Sequence, residues 1–434
     1  MVRFDPSGPL RGSLRPPPDK SISHRAALIG AMAQGPTIIE GYLDSADTRS
    51  TLAAVAALGA SVDGASEARI GQRISITGVG LRGAADADID VGNAGTLLRL
   101  LPGWLAGQPG GGWTIDGDDS IRRRPVDRIA EPLRLMGASL SCRDQRLPPL
   151  RIEGAALAGI EYELPVASAQ VKSCLLLAGL LAEGETRIVE PAPSRDHSER
   201  MLAAAGAEVG REGEVVSIRP APALEPGEIR VPGDFSAAAF FIVAATIVVG
   251  SDLVLTGVGL NPTRTGLLET LARMGASVEV EDAELGGGEP SGTLRVSAAD
   301  LRGTEVGGAE IPLAIDELPL VALAACFAEG ETTIRDAGEL RRKESDRIAT
   351  VCEALTALGA DVEPSEDGLA VRGGGGLRGG AISSHGDHRI AMMGAVAGLA
   401  SRDGVEIEGM DAAAVSYPGF EADVAALAGG ARTG

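Results

Sequence analysis

Aromatic residues are scarce in this chain: Phe, Trp and Tyr make up 3% of its 434 residues, whereas Gly alone occurs 60 times. A core without aromatic bulk has to be built from Ala, Leu, Val and Ile in many small, closely packed layers. Cysteine is scarce too. Cys142, Cys174, Cys326 and Cys352 form no CxxC pair, three of them lie in apolar runs, and they read as buried, reduced thiols. Cations are in deficit, with 39 Lys and Arg against 60 Asp and Glu and a net charge of -21. Such a balance argues against nucleic acid or an anionic membrane as the main partner, since both would repel the body of the protein. The N-terminus shows no cationic segment followed by an apolar one, so no secretory signal is visible. The longest apolar run, AAAFFIVAATIVVG (237–250), is too short to span a bilayer and reads as a buried helix running into a strand. A cytoplasmic protein of about two to four domains is expected.

What the chain does have is repetition. A helical stretch ends in Gly-Ala at Gly59, Gly137, Gly206, Gly275 and Gly359, with intervals of 78, 69, 69 and 84 residues and a degraded copy at LAGGARTG (427–434). Each Gly is placed to cap a helix C-terminus in the left-handed conformation, and an alternating segment such as ASVEVED then begins a strand. A second phrase alternates with the first in six copies, starting at residues 19, 92, 168, 234, 316 and 387. It opens polar, becomes an Ala/Leu-rich helix and turns into a β segment. Each unit is thus expected to hold one helix buried on every side, one amphipathic helix and short strands. A repeat scaffold that merely binds something is the plainest reading of this pattern.

The polar openings of the buried helices argue for more than a scaffold. Helix N-termini expose N–H groups and partial positive charge, which suits anions. The residues placed there are Lys20-Ser21, Asn93 to Thr96, Ser168-Ala169-Gln170, Asp234, Asp316-Glu317 and Asp387-His388-Arg389. Simple caps explain Asp234 well and Lys20 poorly, because a cation opposes the helix dipole. The segment RRKESDR (341–347) gathers four cations in an acidic chain, which is either a solvated helix start or a place that holds an anion.

Taken in order, DKSISHRA (19–26), GNAGTLLR (92–99), RRRPVDRI (122–129), SAQVKS (168–173), SRDHSERML (194–202), DELP (316–319), RRKESDRI (341–348) and GDHRIAMM (386–393) resemble the 5-enolpyruvylshikimate-3-phosphate synthase family over nearly the whole chain. The resemblance implies an α/β fold of six βαβαββ repeats, three per domain, with the active site in the interdomain cleft. The implied domains are 14–230 and 1–13 plus 231–434. It further implies transfer of the enolpyruvyl group of phosphoenolpyruvate to the 5-hydroxyl of shikimate 3-phosphate, with no metal and no cofactor, by a cytoplasmic monomer that glyphosate inhibits. A sister family that acts on UDP-N-acetylglucosamine shares the fold, but usually has a Cys in the loop that here reads GDDSIRRRPVD (117–127), where none is present.

Site residues follow from the same resemblance. Lys20 would touch both substrates and take part in catalysis. Ser21 and Arg25 would hold the carboxylate side of shikimate 3-phosphate, while Ser168, Ala169, Gln170 and Lys343 complete that site with Ser194 or Arg195 at the 3-phosphate. His197 reads as a helix-surface residue. Phosphoenolpyruvate would meet Lys20, Asn93, Gly95, Arg124, Gln170, Arg347 and Arg389, although Asn93 also reads as a helix cap. Asp316 would accept the hydroxyl proton and also contact shikimate 3-phosphate, and Glu344 would protonate the methylene carbon. Relatives often carry a Lys where AVSYPGF (414–420) has Val415, so one cation of the phosphoenolpyruvate shell is missing or comes from elsewhere.

Overall fold

The computed structural model describes residues 1–64 and 72–429. Residues 430–434 of the degraded Gly-Ala copy lie outside them. The chain divides into two compact units, Pro18–Pro232 with Leu285–Glu289, and Met1–Pro17 with Gly233–Glu284 and Pro290–Gly434. Each has its own apolar core.

Among its described residues the first unit holds three four-stranded sheets and six α-helices: α1 (Lys20–Met32), α2 (Ala46–Ala57), α3 (Gly95–Ala106), α4 (Asp127–Leu135), α5 (Ala169–Gly179) and α6 (His197–Ala204). In every sheet the first two strands are parallel, and in the second and third repeats the buried helices α3 and α5 bridge them. The second and third repeats run in simple chain order. The first does not, because its opening strand is Glu228–Arg230, which pairs with Pro36–Tyr42 in the register Ile229↔Ile39. Helices α3 and α5 approach at backbone contact, since the Cys174 carbonyl fills the space a Cβ on Gly103 would need.

The second unit repeats the plan with α7 (Phe235–Ile247), α8 (Gly266–Met274), a single turn α9 (Ile311–Ala314), α10 (Leu318–Ala325), α11 (Arg347–Ala357), α12 (His388–Ala400) and α13 (Phe420–Leu427). All thirteen residues of α7 are buried, and the strand Asp252–Gly259 follows it, as the apolar run suggests. This unit borrows strands as well: Arg11–Leu14 lies parallel to Asp252–Gly259, and Val2–Phe4 lies antiparallel to Val405–Glu408. Among the described residues the sixth sheet has three strands, not four. Helix α13 packs in this repeat, where Tyr417 and Phe420 stand 5.5 Å apart and Phe420 lies 5.6 Å and 5.8 Å from Phe241 and Phe240 of α7.

Both sequence phrases have a direct physical counterpart. Gly59, Gly137, Gly206, Gly275 and Gly359 have φ between 93° and 101°, a region in which any side chain is strained. Helices α1, α3, α5, α7, α10 and α12 are buried nearly all round, whereas α2 and α4 bury only one face. Cys174, Cys326 and Cys352 are buried and Cys142 is half-buried; all four are free thiols. Burial pushes the Cys326 thiol up to about 12 and Cys352 up to about 11, so both stay protonated.

Candidate active site

Eleven of the sixteen expected site residues lie in the first unit, at two kinds of position: the start of a buried helix, or the loop after a repeat's second strand. Asp19 caps α1 by accepting the Ile22 N–H at 2.8 Å, which sets Lys20 at the first helical position, 3.3 Å from Asp47. Arg25, one turn on, is buried and fully engaged. Its guanidinium donates to the hydroxyls of Ser198 (2.8 Å) and Ser173 (2.9 Å) and to the Ser21 carbonyl (3.0 Å). Burial pulls its pKa down to about 10, so it stays charged at neutral pH. His24 is buried beside it and bonds Thr51 at 2.6 Å; burial, with the charges of Lys20 and Arg25, drives its pKa down to about 3. It is therefore neutral near pH 7.

The starts of α3 and α5 meet. Gln170 donates to the Thr96 hydroxyl at 3.3 Å and accepts from Arg99 at 2.6 Å, and Ser168 caps α5 ahead of Ala169. Asn93 does not cap α3, whose N-cap is Ala94 with no side-chain bond. It joins a chain of polar contacts instead, donating to Asp118 at 2.7 Å and accepting from Arg124 at 3.1 Å. Arg124 lies over Gly95, where a Cβ would stand 2.5 Å from its Nη1. Ser194 is buried in the loop that leads to α6, and the charge of its neighbour Arg195 acts on Arg25.

In the second unit Asp316, Lys343, Glu344, Arg347 and Arg389 form one cluster. Arg347, 1% exposed, donates to Glu344 at 2.6 Å, Asp387 at 2.8 Å and Asp316 at 3.2 Å. Asp316 also faces Lys343 at 3.6 Å, Arg264 at 3.5 Å and Arg389 at 3.7 Å. Arg389 ties the starts of all three buried helices together, donating to the Asp316 carbonyl at 3.0 Å and to the Ser236 hydroxyl at 3.2 Å from α12. Burial pushes the Glu344 and Asp387 carboxyls up, but Arg347 together with His388 and backbone N–H donors holds both below the usual carboxylate range. Burial would likewise pull Arg347 down, and Glu344, Asp316 and Asp387 together hold it above the ordinary guanidinium value.

Sequence reasoning missed several members of these clusters. Arg264, 4% exposed, sits among Asp234, Asp316 and Glu317 at 3.5–3.8 Å. Its segment NPTRTG reads as an ordinary turn; only its equivalence to the loops carrying Arg124, Ser194 and Lys343 in other repeats marks it. Glu317, 1% exposed, accepts from the Ser236 hydroxyl and lies 3.5 Å from Arg389. His197 is not a surface residue: it is 1% exposed and its Nδ1 is 2.9 Å from the buried Glu289. Its place in the first turn of α6 suggested exposure, but residues 285–289 of the chain cover that turn. Val415 ends a short turn and is exposed.

Known proteins align with the chain from end to end. The family described as EPSP synthase (3-phosphoshikimate 1-carboxyvinyltransferase) matches residues 4–424. A 3-phosphoshikimate 1-carboxyvinyltransferase from Desulforudis audaxviator is 50% identical over 422 residues, 96% of this chain and 97% of its own. A solved EPSP synthase from Acinetobacter baumannii is 43% identical with a TM-score of 0.89 and 98% of each chain covered. The enolpyruvyl transferase NikO from Streptomyces tendae is 18% identical, with a TM-score of 0.76 over 98% of this chain and 97% of its own, and shares the fold. With a family match across both units and half of all residues shared with a curated relative, this chain belongs to the EPSP synthase (3-phosphoshikimate 1-carboxyvinyltransferase) family.

Proposed function

We infer that the chain transfers the enolpyruvyl group of phosphoenolpyruvate to the 5-hydroxyl of shikimate 3-phosphate, releasing phosphate, as a step of aromatic amino-acid biosynthesis. The observation that carries this reading is the match over residues 4–424 to a family defined by that reaction. Asp316 takes the hydroxyl proton as oxygen attacks C2 of phosphoenolpyruvate, and Glu344 gives a proton to C3. Loss of phosphate and return of a C3 proton then restore the double bond. Lys20, with Gly95 and Arg124, receives the phosphate of phosphoenolpyruvate, and Arg347 and Arg389 receive its carboxylate. Four cations, Arg264, Lys343, Arg347 and Arg389, stand among five carboxylates, Asp234, Asp316, Glu317, Glu344 and Asp387. A substrate carboxylate that reaches Arg347 therefore competes with carboxylates of the protein's own.

The direct test is phosphate release when the purified protein meets both substrates. Release with shikimate 3-phosphate and none with UDP-N-acetylglucosamine is expected; the reverse would assign the chain to the sister reaction. We also infer a cytoplasmic monomer, a reading supported by the charge of -21, which repels nucleic acid and anionic membranes, and by the described residues containing no helix long and apolar enough to cross a membrane. Sedimentation of the active species at more than 44.1 kDa would contradict the monomer.

Glyphosate is inferred to compete with phosphoenolpyruvate beside Gly95. A methyl group at this position meets Arg124 Nη1 at 2.5 Å, so the guanidinium must shift. Gly95→Ala is expected to raise the inhibition constant of glyphosate by a larger factor than the KM of phosphoenolpyruvate, because the longer inhibitor meets the methyl directly. Equal losses would mean that the displaced Arg124 alone accounts for the effect.

A further inference from the structure

Helix α5 differs from its five counterparts at the fourth residue. The buried helices α1, α3, α7, α10 and α12 place Ser23, Leu98, Ala238, Val321 and Ala391 there, all buried and none charged. Helix α5 places Lys172, whose side chain is 0% exposed. Its Nζ donates to Glu190 Oε2 at 2.9 Å, lies 2.7 Å from Glu199 Oε1 and donates to the Ser194 carbonyl at 3.4 Å. Glu190, 1% exposed, also accepts from the Ser194 hydroxyl and lies 3.6 Å from Arg211.

Taking these charges out of water costs several kcal/mol per ion, and an apolar replacement of such a pair is often as stable or more so. The packing of a buried helix does not require the charge, since five sister helices pack without it. What the ammonium spans is informative. Glu190 follows the strand Thr186–Val189, Ser194 lies in the middle of the connecting loop, and Glu199 is in the first turn of α6. One cation on α5 thus pins a seven-residue loop, 190–196, at its start, its centre and just beyond its end. That loop carries Ser194 and Arg195, and the same helix begins with Ala169-Gln170 behind the Ser168 cap.

We propose that Lys172 and Glu190 are positioning residues for the 3-phosphate of shikimate 3-phosphate, fixing the 190–196 loop against the start of α5 so that both present their donors at one spacing. The proposal rests on the reading that Ser194 or Arg195 meets that phosphate. To donate to phosphate, the Ser194 hydroxyl must turn from Glu190, and Lys172 keeps that carboxylate paired when it does. Burial holds Glu199 above the ordinary carboxylate range in spite of Lys172.

Glu190→Gln keeps the shape and weakens the tie, and Lys172→Met removes it. Steady-state kinetics on both, with thermal melts to establish folding, are expected to show the KM for shikimate 3-phosphate raised about tenfold, the worth of one hydrogen bond to a charged group. The kcat should change by less than about twofold at that magnitude. Binding of unphosphorylated shikimate, measured by titration calorimetry, should be unaffected, which a general structural defect would not spare. An unchanged or lowered KM in Glu190→Gln, or equal loss for shikimate and its 3-phosphate, overturns the proposal. A Ser194→Ala, Arg195→Met double variant separates the two layers. If its KM for shikimate 3-phosphate is unchanged, the reading of the loop fails and the proposal with it; if it rises while Glu190→Gln and Lys172→Met do not, the proposal alone fails.

Discussion

Glu344→Gln is expected to lower turnover by roughly 10²–10⁴-fold, the usual loss for a positioned general acid, while shikimate 3-phosphate still binds. The amide keeps the length of the side chain and can still accept from Arg347 Nη2, now 2.6 Å from Glu344 Oε2, so the cluster is left in place. What is lost is the carboxyl able to carry a transferable proton, and with it the negative charge that faces Arg347. Because Arg347 holds the Glu344 carboxyl below its usual range, that group is ionised at neutral pH and has to gain a proton before it can act as an acid. If the carboxylate of phosphoenolpyruvate takes over Arg347 as proposed, the main cause of the depression is removed, and its binding would be coupled to arming of the acid. Reaction in deuterated water reads the step itself, since protonation of the methylene makes a methyl group that returns label to the product. Deuterium entering the enolpyruvyl product of Glu344→Gln at the parent rate would take Glu344 out of this role.

Arg347→Met should destabilise the second unit by about 3–5 kcal/mol, the range found when one partner of a buried ion pair is removed. The loss falls mainly on Asp387, which is fully buried and keeps the Ser345 hydroxyl at 3.1 Å, the Arg389 N–H at 2.9 Å and His388 Nδ1 at 4.0 Å. The pH dependence should also change sign. With Arg347 present, Asp387 and Glu344 have depressed folded values, so their contribution is in place above the ordinary carboxylate range and is lost as the pH falls through those depressed values. Without Arg347, burial dominates and raises the folded values, so the variant gains stability as the pH is lowered from 7 toward 5 while the parent does not. Urea unfolding at several pH values measures both. A deficit under about 1 kcal/mol, the level of an exposed pair, would show that water reaches the cluster freely.

The repeats were legible because their signals are local. A Gly at φ near 95° after a helix is a requirement of backbone sterics, and a run such as AAAFFIVAATIV has no polar face to expose. The helix starts were legible for the same reason: Asp19, Ser168, Asp234, Asp346 and Asp387 accept the N–H groups their positions suggest. What stayed hidden is the second engagement of each polar group. Asp387 reads as a cap, yet its carboxylate is also the main anchor of Arg347; Arg264 reads as a turn residue, yet it faces three carboxylates. Such pairings join helices 30 to 80 positions apart in sequence, and no local periodicity encodes them. The segment RRKESDR divides in the same way: Arg341 is half-buried with Asp346 at 2.7 Å, whereas Arg347 is sealed inside.

The borrowed strands set the order in which a ribosome can deliver this fold. Val2–Phe4 leaves the exit tunnel about 400 positions ahead of its partner Val405–Glu408. At roughly 5–20 residues per second that is a wait of about 20 to 80 s. The first unit can close its opening sheet once Glu228–Arg230 has emerged, but the leading segment has to remain extended and uncommitted while that unit folds beside it. Its sequence suits the wait, since residues 5–9 read DPSGP and residues 15–18 read RPPP, two stretches that resist helix formation and premature strand pairing.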